Sequence, residues 1–386
     1  VSQGLQELLD EGVASGVFPC ARAVVLARGA RVFDGGAGGA TAATVFDLAS
    51  LTKVMGTAAV FLALWHHGKL EPETPVARFA PTAALGRAGV TLADLLTHRA
   101  GLPAFAPLFE PVLRGSPRLF DADCPAGPRA LARQAVVAAA FATPLEAPPR
   151  SRAVYSDVGF VVLGEVLSIA AGAPLDALVA ERVAAPLGLA AHFRRLSAPP
   201  PTPPGPIAPT GATRPREPAP GQGGAWTAIE RRPTRSGEVD DDNAWAMDGV
   251  AGHAGLFGTA GDVAAFGQAV LDEVGGQARL AAPRLWTRAL ARDAATPGST
   301  RAFGFDTRQP GDPTADASAG LRLGQMPPGA VGHLGFTGVS LWIDLARVVV
   351  VALCTNRTAL GRGNTRIRGF RPRFHDAVVE ALDGAA

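Results

Sequence analysis

The chain is short of lysine, tyrosine and cysteine, and each shortage narrows what it can be. Only two of its 36 basic residues are lysines, Lys53 and Lys69. Tyr155 is the single tyrosine in 386 residues. Three cysteines, Cys20, Cys124 and Cys354, are an odd number at wide spacing. They make neither a disulfide framework nor a metal-site pattern. A His-Glu-x-x-His helix and similar ligand spacings are missing too, so a metallohydrolase has little support and neither metal nor cofactor is expected. Asp240, Asp241 and Asp242 look superficially like a cation loop, but they lack oxygen ligands at regular alternate positions and read as a solvated loop. No apolar run is long enough to span a membrane. The longest, TAAVFLALW (57–65), ends in HHGK and reads as a buried helix. A surplus of one charge is also missing, since 36 basic and 34 acidic residues leave a net charge of +2. The densest basic stretch, RGNTRIRGFRPR (362–373), reads as a solvated turn and helix start, and no nucleic-acid partner is expected.

What is present is enough for a large core, in one domain or two intimate ones. The chain is rich in Ala and Arg, with 46 Gly and 33 Pro, a composition that replaces lysine by arginine wherever a surface charge suffices. A lysine that remains is therefore conspicuous: arginine keeps its proton near neutrality, whereas a buried lysine can lose it. The compartment is open: periplasmic or secreted if a signal peptide preceded Val1, otherwise cytoplasmic.

Residues 2–15 have amphipathic helical spacing. ARAVVLARG and ARVFDGGAG read as two strands of a hairpin with a Gly-Ala turn. A helix is predicted from about Ser50 to His67, stopped by Gly68. TLADLLTHRAGLP, PRALARQAVVAAAFAT and VGFVVLGEVLSIAAG carry helical spacing between Pro-rich connections. The stretch from Pro199 to Arg235 has too few apolar groups to pack a core and is predicted to be a long irregular surface loop. AGDVAAFGQAVLDEV is helical again. VGHLGFTG, VSLWIDLA and RVVVVALCTN read as an antiparallel meander, and FHDAVVEALDG as a closing helix. The order predicts an α/β (α+β) fold with a mostly antiparallel sheet flanked by helices. Residues 1–75 and 255–386 would form a discontinuous sheet domain. Residues 76–254 would form an inserted, mostly helical subdomain that includes the Pro-rich loop at about 199–235.

Three short segments carry chemistry. FDLASLTKVMGT (46–57) places Ser50 and Lys53 one helical turn apart on one face. A serine hydroxyl needs a base within reach. Lysine serves as that base only if burial or a nearby positive charge lowers its pKa. The free N–H groups at a helix start favour an oxyanion there. The plainer reading makes Ser50 a helix cap and Lys53 a surface residue, although a first-turn lysine opposes the helix dipole. In YSD, Tyr155 either projects its hydroxyl into a cleft or is a half-buried aromatic, and Asp157 is equally an N-cap. In HLGFTG, Gly335 leaves room for a ligand carbonyl and the N–H of Phe336 faces an oxyanion; otherwise this is a bulged core strand with a surface histidine, His333.

In this order and rough spacing, the three segments resemble the serine β-lactamase and penicillin-binding-protein superfamily, specifically its class C-like branch. That branch also contains esterases, D,D-peptidases and D-amino-acid amidases. FDLASLTK, LLTHRAGLP, YSDVGFVVLGEVL, GVAGHAGLFGTAGDVAAFG and GHLGFTG all resemble stretches of it, so the likeness covers nearly the whole chain except about 199–235. The resemblance implies a β-lactamase/transpeptidase-like fold without a cofactor. It implies a serine hydrolase that forms an acyl-enzyme on a small-molecule ester, a β-lactam or a D-amino-acid-containing peptide. Ser50 would be acylated, Lys53 would help deprotonate it and Tyr155 would relay protons. The N–H groups of Ser50 and Phe336 would form the oxyanion hole, and Asp157, His333 and Gly335 would meet the substrate.

Two departures from the pattern matter. Asp157 stands where Asn is usual and cannot donate when ionised; it is free to pair with Lys53 or cap the helix. His333 stands where Lys is more usual and is a weaker, pH-dependent positive charge. Both place a carboxylesterase ahead of a β-lactamase, D,D-peptidase or D-amino-acid amidase. His253 in GHAG borders the cleft or serves a local hydrogen bond, and His98 reads as structural. Asp240 falls where some members carry histidine. The competing class is a non-catalytic module that holds peptidoglycan fragments or a partner; intact Ser50, Lys53 and Tyr155 argue against it.

Overall fold

The computed structural model describes residues 2–121, 123–199, 202–219, 224–311 and 319–384. Among them the strands run β1 Ala21–Ala27, β2 Ala30–Ala37, β3 Phe46–Asp47, β4 His192–Phe193, β5 Thr213–Arg214, β6 Arg232–Pro233, β7 Leu256–Gly258, β8 Asp306–Arg308, β9 Ala330–Leu334, β10 Ser340–Asp344 and β11 Val349–Thr355. Six of them form one antiparallel sheet in the order β2-β1-β11-β10-β9-β8. The hairpin near the start of the chain is thus zipped onto its last strand. The hairpin turn is Arg28-Gly29, one residue before the expected Gly-Ala, because both residues adopt the positive φ of 51° and 79° that a tight two-residue turn demands.

β11 reads as an unbroken apolar run because both of its faces are covered. Val349, Val351 and Leu353 pack with Leu5 and Leu9 of helix Ser2–Ala14 and with Phe370 and Phe374 of helix Ile367–Asp383. Val350, Ala352 and Cys354 face the other way, into the core that holds Phe266 and Val270 of helix Ala260–Val274. That helix lies close on the sheet: a Cβ on Gly267 would sit 2.4 Å from Val350. The architecture is the expected α/β arrangement of an antiparallel sheet flanked by helices.

The helices Leu92–Leu96, Ala126–Ala142 and Asp157–Ala171 share the larger core. Helix Asp157–Ala171 starts under the Ser156 hydroxyl, which accepts from the Gly159 N–H, and ends at Gly172 with φ 67°. Midway, a Cβ on Gly164 would sit 2.9 Å from the backbone of Gly252. This contact brings the segment carrying His253 beside the helix that follows Tyr155. A second, small sheet, β3-β7-β4, leads directly into Ser50.

Three sequence expectations are corrected. The Pro-rich stretch is not simply a surface loop: Arg214 and Arg216 are buried and pair with Asp242 and Asp240. Asp240 and Asp242 are accordingly buried ion-pair partners, not a solvated loop. Ion pairs anchor here what apolar groups could not. The basic stretch 362–373 also turns inward. Arg362 pairs with Asp240, and Arg371 is buried and bound to backbone carbonyls. Among the described residues no single helix is long and apolar enough to cross a membrane.

Candidate active site

The chain reaches Ser50 through an irregular turn. Ala49 takes φ 45°, a left-handed conformation that a residue with a side chain rarely adopts. Its N–H is held by the Asp47 carboxylate at 2.8 Å, and its carbonyl accepts from the Thr52 hydroxyl at 2.6 Å. The expected regular helix from Ser50 is instead a 3₁₀ turn, Ala49–Leu51, then a π-helix, Lys53–Ala58, and only then an α-helix, Ala59–His66. The cause is tertiary. The Thr57 hydroxyl donates to the Gly252 carbonyl and the Thr52 hydroxyl accepts from the Leu256 N–H, so the helix start is tied to residues 252–256. Wide π turns of this kind recur at functional sites.

Lys53 is fully buried. Its Nζ donates to Asp157 Oδ1 at 2.7 Å, Ser50 Oγ at 3.0 Å and the His253 carbonyl at 3.1 Å. Tyr155 Oη donates to the same Ser50 Oγ at 2.9 Å. Burial pulls Lys53 down, but the Asp157 carboxylate and Tyr155 outweigh it and hold Lys53 above its ordinary value. This reverses the lowered pKa expected of a lysine base. Burial pushes the Tyr155 phenol up, against the pull of Lys53. The resting site is an ammonium beside a neutral phenol. Asp157, expected to meet substrate, spends its carboxylate on Lys53, and Ser156 caps the helix in its place.

His333 lies in β9 and is buried, not a surface histidine. Its Nδ1–H donates to the Leu334 carbonyl at 2.7 Å. Burial, Lys53 and Arg301 hold it well below the usual histidine range. It is therefore a neutral imidazole, and the pH-dependent positive charge expected there is corrected. His98, with φ 58°, accepts the Ser156 N–H at 3.0 Å and packs its ring against that of Tyr155 at 4.7 Å and a 40° tilt, which fixes the turn that presents the phenol.

Gly335 ends β9 against the serine loop. A Cβ there would sit 2.3 Å from the Val339 side chain and 2.9 Å from the Leu48 carbonyl. The missing side chain makes room for the protein's own chain, where the sequence suggested a ligand. Ala49, Leu51, Gly335 and Gly338 all place their N–H groups on internal acceptors. Among the described residues the N–H groups of Ser50 and Phe336 have none.

These groups open into a cleft of about 370 Å³ lined by Ser50, Tyr155, Asp157, His333, Gly335 and Phe336. Arg301, Asp241 and His253 also line it. Arg301 lies 5.3 Å from the Tyr155 ring and is 21% exposed; sequence reasoning missed it because nothing local marks one arginine among so many. His253 Nε2 lies 2.8 Å from Asp241 Oδ1, and Asp241 also accepts the Ala244 N–H. Burial would raise the Asp241 carboxyl, but His253 and the Ala244 N–H keep it well below the usual carboxylate range. Among the described residues no His, Cys, Asp and Glu cluster has the arrangement of a metal site.

A profile of the family described as Beta-lactamase matches residues 5–369. A protein of Escherichia coli strain K12 named "Putative D-alanyl-D-alanine carboxypeptidase" is 31% identical over 334 residues, which cover 82% of this chain and 70% of that one. The octameric penicillin-binding protein homologue from Pyrococcus abyssi superimposes with a TM-score of 0.66 at 17% identity, over 99% of this chain and 77% of that one. The D-amino acid amidase from Ochrobactrum anthropi SV3 superimposes with a TM-score of 0.64 at 18% identity, over 98% of each chain.

Proposed function

This chain belongs to the β-lactamase family, whose fold is that of serine hydrolases, and we propose that it hydrolyses its substrate through a covalent acyl-enzyme on Ser50. The observation that carries this reading is the convergence of Lys53 Nζ and Tyr155 Oη on one serine oxygen, in a cleft with two unengaged N–H groups. Ser50 Oγ attacks the carbonyl carbon, and as its proton passes to Tyr155 Oη the phenol's own proton moves on to the leaving atom in one relay, so no protonated phenol forms. The oxyanion rests on the N–H groups of Ser50 and Phe336. As the tetrahedral adduct collapses, the bond to the leaving group breaks and the departing nitrogen or oxygen leaves with the proton that Tyr155 relayed to it. Water then retraces the path: its oxygen bonds to the acyl carbon as its proton goes to Tyr155 Oη, the phenol's own proton goes to Ser50 Oγ, and the bond between the acyl carbon and Ser50 Oγ breaks. A phenol that gives one proton and takes another suits a Tyr155 whose pKa is raised, and the Lys53 ammonium stabilises the charge that builds on Ser50 Oγ.

For the substrate, a peptide ending in a D-amino acid is favoured. Arg301 offers a cation beside Tyr155, where a leaving residue's carboxylate would lie, and its approach to Asp306 is a loose 3.6 Å. The E. coli relative is named as a D-alanyl-D-alanine carboxypeptidase. A second reading, a carboxylesterase, draws on neutral His333 and on Asp157, which leave the cleft without the lysine and amide usual in the resembling enzymes.

The test is turnover of an acyl-D-alanyl-D-alanine peptide and of p-nitrophenyl butyrate by the intact protein and by Ser50→Ala. Loss of both activities in the variant is expected; turnover that survives it overturns the reading. Arg301→Ala raises KM for the peptide and leaves the ester alone if the peptide reading holds. If no acyl probe labels Ser50 in the intact protein, the non-catalytic binding module takes its place.

A further inference from the structure

Behind the oxyanion turn sits a buried cation with an unusual set of partners. Arg371, in helix Ile367–Asp383, is 6% exposed. Its Nη2 donates to the Gly335 carbonyl at 2.6 Å and the Val339 carbonyl at 2.7 Å, and its Nε donates to the Gly338 carbonyl at 3.3 Å. Among the described residues no carboxylate pairs with it, whereas Arg362 nearby is paired with Asp240. An arginine that only held the fold together would ordinarily be buried against an acid.

The geometry of the peptide bond gives this arrangement a consequence. The carbonyl of Gly335 and the N–H of Phe336 belong to one trans peptide, so they point in opposite directions. Arg371 and the Gly338 N–H, at 3.0 Å, hold the carbonyl end. The N–H end is thereby aimed away from the guanidinium of Arg371, on a residue that lines the cleft beside Ser50; Arg371 itself borders the same cleft on the carbonyl side of this peptide. A cation bonded to that carbonyl also polarises the peptide and strengthens its N–H as a donor. Arg357 steadies the next peptide: its Nε donates to the Phe336 carbonyl at 2.7 Å, and its guanidinium lies 4.4 Å from the Phe336 ring.

We propose that Arg371 is a positioning residue that aims and polarises the Phe336 N–H toward the oxyanion, and that its unpaired charge stabilises that oxyanion from behind. This rests on the acyl-enzyme reading. It predicts a cost paid in the transition state and not in substrate binding.

The experiment compares Arg371→Met and Arg371→Lys with the intact enzyme and with Phe374→Leu. Phe374 is in the same helix, buried in the core away from the turn, so its variant matches a stability loss without touching the carbonyls. Arg371→Met is expected to lower kcat by about 10- to 100-fold with KM changed less than about threefold. It should also weaken a boronic acid that places an oxygen in the oxyanion hole by the same factor as kcat. Arg371→Lys restores part of both, and also serves if the methionine variant does not fold. Phe374→Leu should lower Tm and leave kcat and boronate affinity unchanged. The inference is overturned if both Arg371 variants keep kcat and boronate affinity near the intact values. It is equally overturned if Phe374→Leu, at equal Tm loss, reduces them as much. Failure of the acyl-enzyme reading looks different: the intact enzyme itself would form no boronate adduct that Ser50→Ala abolishes.

Discussion

Replacing Asp157 by Asn removes the counter-charge of Lys53 while keeping the side chain's shape. The 2.7 Å contact to Asp157 is the shortest of the three that Lys53 makes. Two unit charges at that distance attract by about 6 kcal/mol at an effective dielectric constant of about 20. Water reaches Asp157, which is 23% exposed, and the asparagine oxygen remains an acceptor, so much of this is recovered. A net loss of about 2–4 kcal/mol at neutral pH is expected, somewhat below the cost of about 3–5 kcal/mol for breaking a fully buried pair, because Asp157 keeps contact with water. The pH dependence fixes the cause. In the intact protein Lys53 is held above its ordinary value. Its contribution is therefore complete below the unfolded-state value of about 10.4 and disappears only as pH rises through the folded-state value. In Asp157→Asn burial acts with little opposition, the folded-state value drops, and the neutral amine forms at lower pH. The penalty should then be largest near neutrality and shrink toward about pH 10. Urea unfolding of both proteins at about pH 7, 8.5 and 10 measures it. A penalty under about 0.5 kcal/mol at neutrality, or one that stays flat across this range, would refute the claim that Asp157 holds Lys53 as an ammonium.

Tyr155→Phe keeps the ring against His98 and Arg301 and removes only the hydroxyl; kcat should fall by about a hundred- to ten-thousand-fold with Tm nearly unchanged, as steady-state kinetics and thermal melts will report. His333 is held neutral by burial, so its contribution is intact above an unfolded-state value of about 6.5 and declines as pH falls below it, by up to about 1.4 kcal/mol per pH unit. The stability difference between the intact protein and His333→Gln should therefore shrink from about pH 6.5 to 5; a constant difference would show that folding leaves the His333 pKa unshifted, and one that grows would show that folding favours its charged form. Gly335→Ala drives a methyl into Val339 and the Leu48 carbonyl; a loss of about 1–3 kcal/mol and of most activity is expected from denaturation and initial rates.

What could be read without coordinates was whatever is local or repeated. The unbroken VVVVALC run announced a strand of the antiparallel meander. The only tyrosine and one of two lysines stood out because the composition made them rare. Ala260–Val274 has the helical spacing of its own letters and matches its sequence reading end to end. The misses have a common cause: each depends on a partner far away in the chain. The π-helix at Lys53 comes from bonds to residues 252–256, about 200 positions on. Arg214, Arg216, Arg362 and Arg371 were indistinguishable from surface arginines, since burial of a charge is decided by an acid or a carbonyl brought in by topology. Gly335 was read correctly as a place needing no side chain, but that the serine loop and Val339 crowd it could not be read from its own letters.

The same distinction revises why position 53 is a lysine. By composition, lysine persists here because arginine cannot surrender a proton. The site supplies a different reason, because Lys53 is held toward its charged form. An ammonium has three donors, and three acceptors surround it at 2.7, 3.0 and 3.1 Å in a place closed to water. Arginine brings five donors in a planar fork, so at least two would be left without partners in that closed space, each at a cost of about 1–3 kcal/mol. Geometry alone therefore selects lysine over arginine, whether or not its proton moves in turnover. A base would show itself as activity rising with pH through the titration of Lys53. A fixed ammonium would show activity flat up to alkaline pH and falling as the charge is lost. The raised pKa predicts the second profile for the intact enzyme.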